Sequence, residues 1–381
     1  MILFASLISI LGLWATLLSF SNRRYMERLK KETPQVEDIL VTIAIPARNE
    51  EANIVRCVSS LMQQSYKHIE ILVLDDNSTD ATAKLVEELA LTDTRIHLLK
   101  GKPLQDGWRG KLYGMQQLFE ESKGKYILYT DADTIHSPDS VQYGLNIIEH
   151  EHASMLSGYP KQTGNKKLVQ ILVSAMVFNT ALYLPLRLQR KLQWPGFAMA
   201  IGQYMLLKRS ALEEIGGFTS MPNVICDDVA LARMCARTGH TQIFADMKQV
   251  VSCEMFKTFQ AGFSGLERSV TGVIKQNPFM FLFILLVVVV LISCALAPLI
   301  TIGLGIAALF ESSLTVPFFL TLGGTFLLFS AWAFTAHYHG FPKYVAFSGP
   351  LTFVFVVLLY LHGYYLQVTG KGFIWKDRII L

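Results

Sequence analysis

The sequence predicts an α/β domain with a mostly parallel sheet, held between apolar segments long enough to cross a membrane. Three observations predict it. From Leu40 onward, short apolar runs alternate with amphipathic stretches, the pattern of strand followed by helix. Several runs end in acidic or amide residues, at the sheet edge where open α/β sheets bind ligands. The apolar excess of a chain that is 51% hydrophobic and 17% charged is concentrated in the first twenty residues and the last hundred or so. A mean hydropathy of +0.36 is too high for a wholly soluble protein of 381 residues.

Met1–Phe20 is almost entirely apolar and is followed by Arg23, Arg24, Arg28, Lys30 and Lys31. A cleaved signal peptide carries its charges before the apolar core. Here they follow it, so an uncleaved anchor is expected over residues 1–20, with its N-terminus outside and a basic linker, 21–38, entering the cytoplasm. A net charge of +4 gives no nucleic-acid footprint, which needs a clustered basic face. Five scattered cysteines lack metal-ligand pairing and cannot all pair within one chain, so reduced thiols are expected.

Within 39–255 the expected strand and helix pairs are Leu40–Pro46 with Glu51–Gln63, Ile69–Asp75 with Thr79–Ala90, and Arg95–Leu99 with Lys111–Glu121. Lys125–Asp131 with Ser137–Glu149 follows, then the strand Ala153–Gly158. Ser78-Thr79-Asp80 reads as a helix start. Leu168–Leu186 is apolar enough to pass for a span, but it carries Gln170, Asn179 and Pro185 and has basic residues at both ends. It is expected to lie on the membrane surface or against the domain. Ala200–Lys208, Thr241–Ala245 and Val250–Glu254 read as strands, with Ser210–Ile215 and Asp227–Arg237 as helices.

An interfacial segment is expected over 256–278, spans over 279–366, and a tail over 367–381. Phe279–Leu296, Val316–Ala336 and Val345–Leu366 each suffice to cross a bilayer. Pro298–Phe310 reads either as a surface piece or as part of another crossing, giving three or four spans. A fourth span or a re-entrant piece near Pro298 would return Lys371, Lys376 and Arg378 to the cytoplasm, and is favoured. His337, His339 and His362 read as headgroup-level residues rather than metal ligands.

Chemistry concentrates at strand ends. The first strand runs into Ile45-Pro46-Ala47-Arg48-Asn49-Glu50-Glu51, the second into Asp75-Asp76-Asn77-Ser78-Thr79-Asp80, and a third into Asp131-Ala132-Asp133. Each is by itself an ordinary turn sequence. Together they offer hydrogen-bonding groups for a base and ribose. Two carboxylates at i and i+2 can share one hard divalent cation and leave positions open for phosphate oxygens.

These motifs, in this order and spacing, resemble family 2 glycosyltransferases of the GT-A fold over roughly Leu40 to Phe263. The resemblance implies a GT-A nucleotide-sugar-binding domain in which Pro46, Arg48 and Glu50 lie near the nucleotide and Asp75 or Asp76 contacts the uracil. Asp131 and Asp133 would hold Mg²⁺ or Mn²⁺ and the diphosphate. Gly107-Trp108-Arg109-Gly110-Lys111 is similar to a segment of the lipid- and carotenoid-modifying branch and implies that Lys111 reaches the diphosphate. A lysine at a helix start opposes the helix dipole, which favours an anionic partner for it.

Sugar transfer to an alcohol also needs a base. Gly216-Gly217-Phe218 followed by Asp227-Asp228 is similar to the family's Gly-Gly-Phe and acid-Asp pair. The resemblance assigns Asp228 as the base, with Asp227 where Glu is more usual. Both residues also suit a helix start.

The Gln-x-x-Arg-Trp motif of polymer-forming members is missing. Phe263-Ser264-Gly265-Leu266-Glu267-Arg268-Ser269 occupies that region, and Arg268 reads equally as a phosphate partner or an interfacial charge. The Thr369–Arg378 stretch resembles the ending of carotenoid glycosyltransferases, with Asp377 in place of Gly. The expected activity is single-sugar transfer, glucose from UDP-glucose, onto a membrane lipid. A polysaccharide synthase and a catalytically silent scaffold are the alternatives. A nucleotidyltransferase would want a glycine-rich triphosphate loop, which Ala47-Arg48-Asn49-Glu50 does not resemble.

Overall fold

The computed structural model describes residues 1–29, 36, 38–274, 280–369, 373–375 and 378–380. The remaining parts of the expected linker, interfacial segment and tail, including Lys371 and Lys376, lie outside the described residues. The chain divides into two compact units. One comprises Arg24–Thr163 with Leu186–Met255, the other Met1–Arg23, Gly164–Pro185 and Phe256–Leu381.

The first unit is built on a seven-stranded sheet. Its strands are β1 (Val41–Ala47), β2 (Ile69–Asp75), β3 (Ile96–Lys100), β4 (Tyr126–Tyr129), β6 (Met155–Tyr159), β8 (Met205–Lys208) and β9 (Gln242–Asp246). Three short strands, β5 (Thr134–His136), β7 (Lys161–Gln162) and β10 (Val251–Cys253), form a second sheet. The large sheet has the order β3-β2-β1-β4-β8-β6-β9. All neighbours are parallel except β8, which runs against both β4 and β6. The apolar runs are explained by burial on both faces, as parallel sheets require: Ile43, Ile45, Val73 and Leu128 are fully buried.

From β1 the chain winds outward through β2 and β3, then returns to β4 on the other side of β1. That reversal opens a crevice beyond the carboxyl ends of β1 and β4. Because β8 is antiparallel, pairing Met205 with Tyr129, the residues that precede it arrive at the same edge.

Several boundaries differ from those expected. The helix expected from Glu51 is Ile54–Met62, and that expected from Thr79 is Thr82–Ala90. The intervening polar residues bind across the two loops, and Asp80 Oδ1 also accepts from the Thr82 N–H at 3.0 Å, at the start of the second helix. Asn49 Oδ1 accepts from the Thr79 N–H at 2.9 Å, Asp80 Oδ2 from the Glu51 N–H at 3.1 Å, and Glu51 Oε2 from the Ala81 N–H at 3.0 Å. Such side chains offer the backbone an alternative to helix. Ser78 therefore does not cap: its hydroxyl accepts from the Asn49 N–H. The expected strand Ala200–Lys208 is ordered as β8 only from Met205. Asp227–Arg237 is a helix as expected.

Among the described residues, four helices are long and apolar enough to cross a membrane: Ile2–Leu29, which continues through the expected linker start, Ile284–Ala308, Ser312–Tyr338 and Gly349–Thr369. The expected fourth span or re-entrant piece near Pro298 is not found: among the described residues there are three candidate C-terminal spans. Pro298 lies inside the single helix Met280–Ala308, whose apolar length continues past it. A proline is tolerated in such helices where neighbouring groups relieve the freed carbonyls.

The helix Lys167–Leu182 belongs to the second unit rather than to the sheet unit. Leu172 and Ser174 are fully buried, and Phe178 packs edge-on against Trp332 and Phe353 at 4.6 and 5.2 Å between ring centroids. Its apolar residues are all-round rather than one-faced, which suits a buried helix better than a surface one.

The helices Ile2–Leu29 and Thr315–Tyr338 cross closely. A Cβ on Gly324 would stand 2.6 Å from the Ser9 backbone, and one on Gly12 would stand 2.3 Å from the Gly324 carbonyl. Ser9 Oγ donates to the Leu320 carbonyl at 2.8 Å. Small residues at such a crossing let backbones approach where lipid supplies no hydrophobic drive.

Candidate active site

Seven carboxylates (Glu50, Asp75, Asp76, Asp131, Asp133, Asp227 and Asp228) and the Lys111 ammonium stand at the carboxyl edge of the sheet. Asp75 ends β2 opposite Ala47 and accepts from the Ser78 N–H, an Asx-type turn that buries it. Arg48, just past β1, donates through Nη1 to the Asp76 carbonyl at 2.7 Å, and the same nitrogen stands 4.0 Å from the Asp76 carboxylate. Pro46 pairs with Leu74 within the sheet. Glu50 accepts from Asn53 Nδ2 at 2.8 Å. This group stands at the carboxyl ends of β1 and β2.

The second group surrounds Gly202. Lys111, at the second position of the helix Gly110–Glu121, places Nζ 2.8 Å from Asp131 Oδ1 and 3.3 Å from Asp227 Oδ2. The other Asp131 oxygen accepts from Gln203 Nε2 at 3.0 Å. Asp228 Oδ2 accepts from the Gly202 N–H at 3.1 Å, and its Oδ1 from the Val229 N–H at 2.8 Å. A Cβ on Gly202 would lie 3.3 Å from Lys111 Nζ, 3.5 Å from Asp131 Oδ2 and 3.9 Å from Asp228 Oδ2. The glycine is thus where the expected metal acid, the expected base and the lysine converge.

The electrostatics follow from burial and crowding. Burial, then the charges of Asp131 and Glu50, push Asp133 up to about 7 against the pull of Lys111. Asp228 is pushed up to about 7 by burial and by Asp227, against Lys111 and the two backbone donors. For Lys111, burial acts downward, but Asp131, Asp227 and Asp228 outweigh it and hold the ammonium above its ordinary range. Carboxylates packed this closely need a cation to stay ionised together.

Behind the acids lies a buried polar network. The His136 imidazole sits between the Thr130 and Thr134 hydroxyls on Nε2, at 3.0 and 3.2 Å, and the Ser140 hydroxyl on Nδ1, at 3.1 Å. Thr134 Oγ1 donates to the Asp131 carbonyl, and Thr130 Oγ1 to the Gln203 carbonyl, both at 2.8 Å. The turn carrying the two acids is therefore tied from below to the segment carrying Gly202. Burial depresses His136 to about 3, so the imidazole is neutral.

Asp131, Asp133, Lys111, Asp227 and Asp228 are thus gathered in one unit, and Arg48 meets Asp76 past the ends of β1 and β2 in the same unit. Arg268 lies on the helix Phe259–Ile274 of the other unit. Gly202, Gln203, Thr130 and His136 were not singled out from sequence. The available signal was Gly202 itself, because a glycine inside a strand pattern marks a close approach.

Residues 42–216 match the model of "Glycosyl transferase family 2". The chain carries a family 2 glycosyltransferase domain. A probable glycosyltransferase of Bacillus subtilis, YdaM, is 28% identical over 205 residues, covering 53% of this chain and 45% of that protein. A beta-monoglucosyldiacylglycerol synthase of a Nostoc species is 25% identical over 228 residues, covering 59% of this chain and 46% of the synthase. The chain spans about half the length, or less, of the curated relatives it matches.

The mannosyltransferase PcManGT of Pyrobaculum calidifontis, solved with GDP-mannose and Mn²⁺, superposes with a TM-score of 0.54 at 18% identity, covering 97% of this chain and 100% of that one. The family 2 domain thus has the GT-A fold expected from its motifs.

Proposed function

We propose that the protein is a metal-dependent, inverting glycosyltransferase that moves one sugar, glucose from UDP-glucose, onto a membrane lipid at the cytoplasmic face. The observation that carries this reading is the convergence of Asp131, Asp228 and Lys111 on Gly202, in the same unit as Arg48 and Asp76. The Nostoc relative, a synthase of a glucosylated diacylglycerol, supports a lipid acceptor, as do the four apolar helices.

The residues present fit a divalent cation. Asp131 and Asp133 offer hard oxygens, and Asp133 Oδ1 is buried with no hydrogen-bond partner. Among the described residues no group of three or more His, Cys, Asp and Glu gathers to hold a metal, so the remaining ligands would come from the donor diphosphate and water, as Mg²⁺-type sites often use. When bound, the ion would neutralise charge that develops on the leaving UDP.

Asp228 takes the proton of the acceptor hydroxyl as its oxygen attacks the anomeric carbon from the face opposite the diphosphate. Its two backbone donors hold the carboxylate in place. Lys111 lends positive charge to the phosphates, and Arg48 and Asp76 line the place of the base. The neutral His136 network keeps the acid turn and Gly202 in register.

The test is full-length protein in lipid nanodiscs with radiolabelled UDP-glucose, Mn²⁺ and a total lipid extract, beside Asp133→Ala and Asp228→Ala. Label in the organic phase with the wild type and neither variant is expected. No label and no released UDP from any common UDP-sugar would overturn the assignment.

A further inference from the structure

Both oxygens of Asp131 are already engaged by nitrogen donors, Oδ1 by Lys111 and Oδ2 by Gln203. A divalent ion using this carboxylate must displace one of them. Gln203 is only 9% exposed and its carbonyl is held by Thr130, whereas the Lys111 side chain is 25% exposed and reaches Asp131 on a flexible stem.

We propose that Lys111 is the resident cation of the metal site: it occupies Asp131 when no donor is bound and yields that oxygen when a metal arrives with the diphosphate. The inference rests on the metal-dependent reading above and deepens it.

Three features support the exchange. The ammonium bridges Asp131 and Asp227, so it neutralises two carboxylates that would otherwise repel across the site. The Gly202 position, lacking a Cβ, leaves free the space beside Nζ and Asp131 Oδ2, so the stem can swing without meeting a side chain there. At the start of the helix Gly110–Glu121 the helix dipole disfavours a cation and favours an anion. A diphosphate lying there supplies the anion that Lys111 loses when Asp131 turns to the metal. Metal without nucleotide must therefore compete with a tethered ammonium, and metal with nucleotide need not.

The experiment measures free Mn²⁺ by electron paramagnetic resonance during titration of the full-length protein in nanodiscs, with Mn²⁺ alone and with Mn²⁺ plus UDP. Wild type is compared with Lys111→Met, Lys111→Gln and Lys111→Arg. Removing a positive charge in contact with a metal ligand is expected to tighten binding of Mn²⁺ alone by about ten-fold or more. UDP should tighten Mn²⁺ binding in the wild type and add much less in the two neutral variants, and Lys111→Arg should follow the wild type. If both neutral variants bind Mn²⁺ alone no more tightly than wild type, the inference is overturned while the metal site stands. If the wild type binds no Mn²⁺ even with UDP, the metal-dependent reading itself is wrong and this inference falls with it.

Discussion

The backbone N–H of Gly202 holds Oδ2 of Asp228 at 3.1 Å. One hydrogen bond thus ties the approach to the antiparallel strand β8 to the first turn of the helix Asp227–Arg237. Residues 26 positions apart are made into one piece of apparatus, and the base acquires a fixed direction.

Asp228 is expected to set an acidic limb in the pH profile. Its carboxyl is raised to about 7 by burial and by Asp227, and it must be ionised to accept a proton. For transfer to a hydroxyl acceptor, kcat/KM should therefore rise about ten-fold per pH unit below that value and level off above it. Asp227→Asn removes one of the charges that raise it, so the limb should move to lower pH. A limb that stays put or moves upward in this variant would refute the coupling. Asp228→Asn should lose about 10²- to 10⁴-fold in kcat.

Gly202→Ala tests convergence without removing a charged group. The new methyl would meet Lys111 Nζ at 3.3 Å and Asp131 Oδ2 at 3.5 Å, contacts that a flexible lysine can relieve. The melting temperature should change little, but misplacement of these groups should lower kcat by roughly 10- to 100-fold. Unchanged kcat would show that the space beside Gly202 is not used in transfer.

His136 predicts how the sheet unit responds to acid. Its native value of about 3 lies below the ordinary value of 6.5, so the unfolded chain binds its proton first as pH falls. The stabilisation is fully present above 6.5 and is lost toward 3, at up to about 1.4 kcal/mol per pH unit. Chemical denaturation at pH 7 and pH 5 should show this slope in the wild type and a smaller one in His136→Gln. Equal slopes would mean that the imidazole is not buried as described.

Gly323 and Gly324 offer a matched pair in the membrane-type unit. A side chain at Gly324 would run into the Ser9 backbone at 2.6 Å, whereas nothing lies within 4 Å of a Cβ on Gly323. Gly324→Val should destabilise by at least about 1–3 kcal/mol, the scale of overpacking, and reduce the yield of monodisperse protein in detergent. Gly323→Val should behave as wild type in the same chromatography and thermal assay.

Much of the sheet was legible because its signals are local. Ile69–Asp75 was expected at its observed bounds, and Asp227–Arg237 likewise, since continuous apolar runs and acid-initiated helices show in neighbouring residues. The loops after β1 and β2 differ from expectation because the Asn49, Glu51 and Asp80 side chains look like caps but accept from backbone N–H groups of the other loop, about thirty residues away. Local propensity cannot see such partners. For Lys167–Leu182, hydropathy measures how apolar a helix is and carries no information about what covers it.

By itself, the sequence determined the α/β class, the acids at the strand ends, and the apolar segments at both termini. These follow from the chemistry and period of adjacent side chains. Tertiary structure alone decided that β8 runs antiparallel, which delivers Gly202 and Gln203 to the acids. It also decided that Lys111 answers to Asp131 and Asp227. The reason is that charge pairing and close approach depend on distance in space, and the folded sheet brings together groups that the chain keeps about a hundred residues apart.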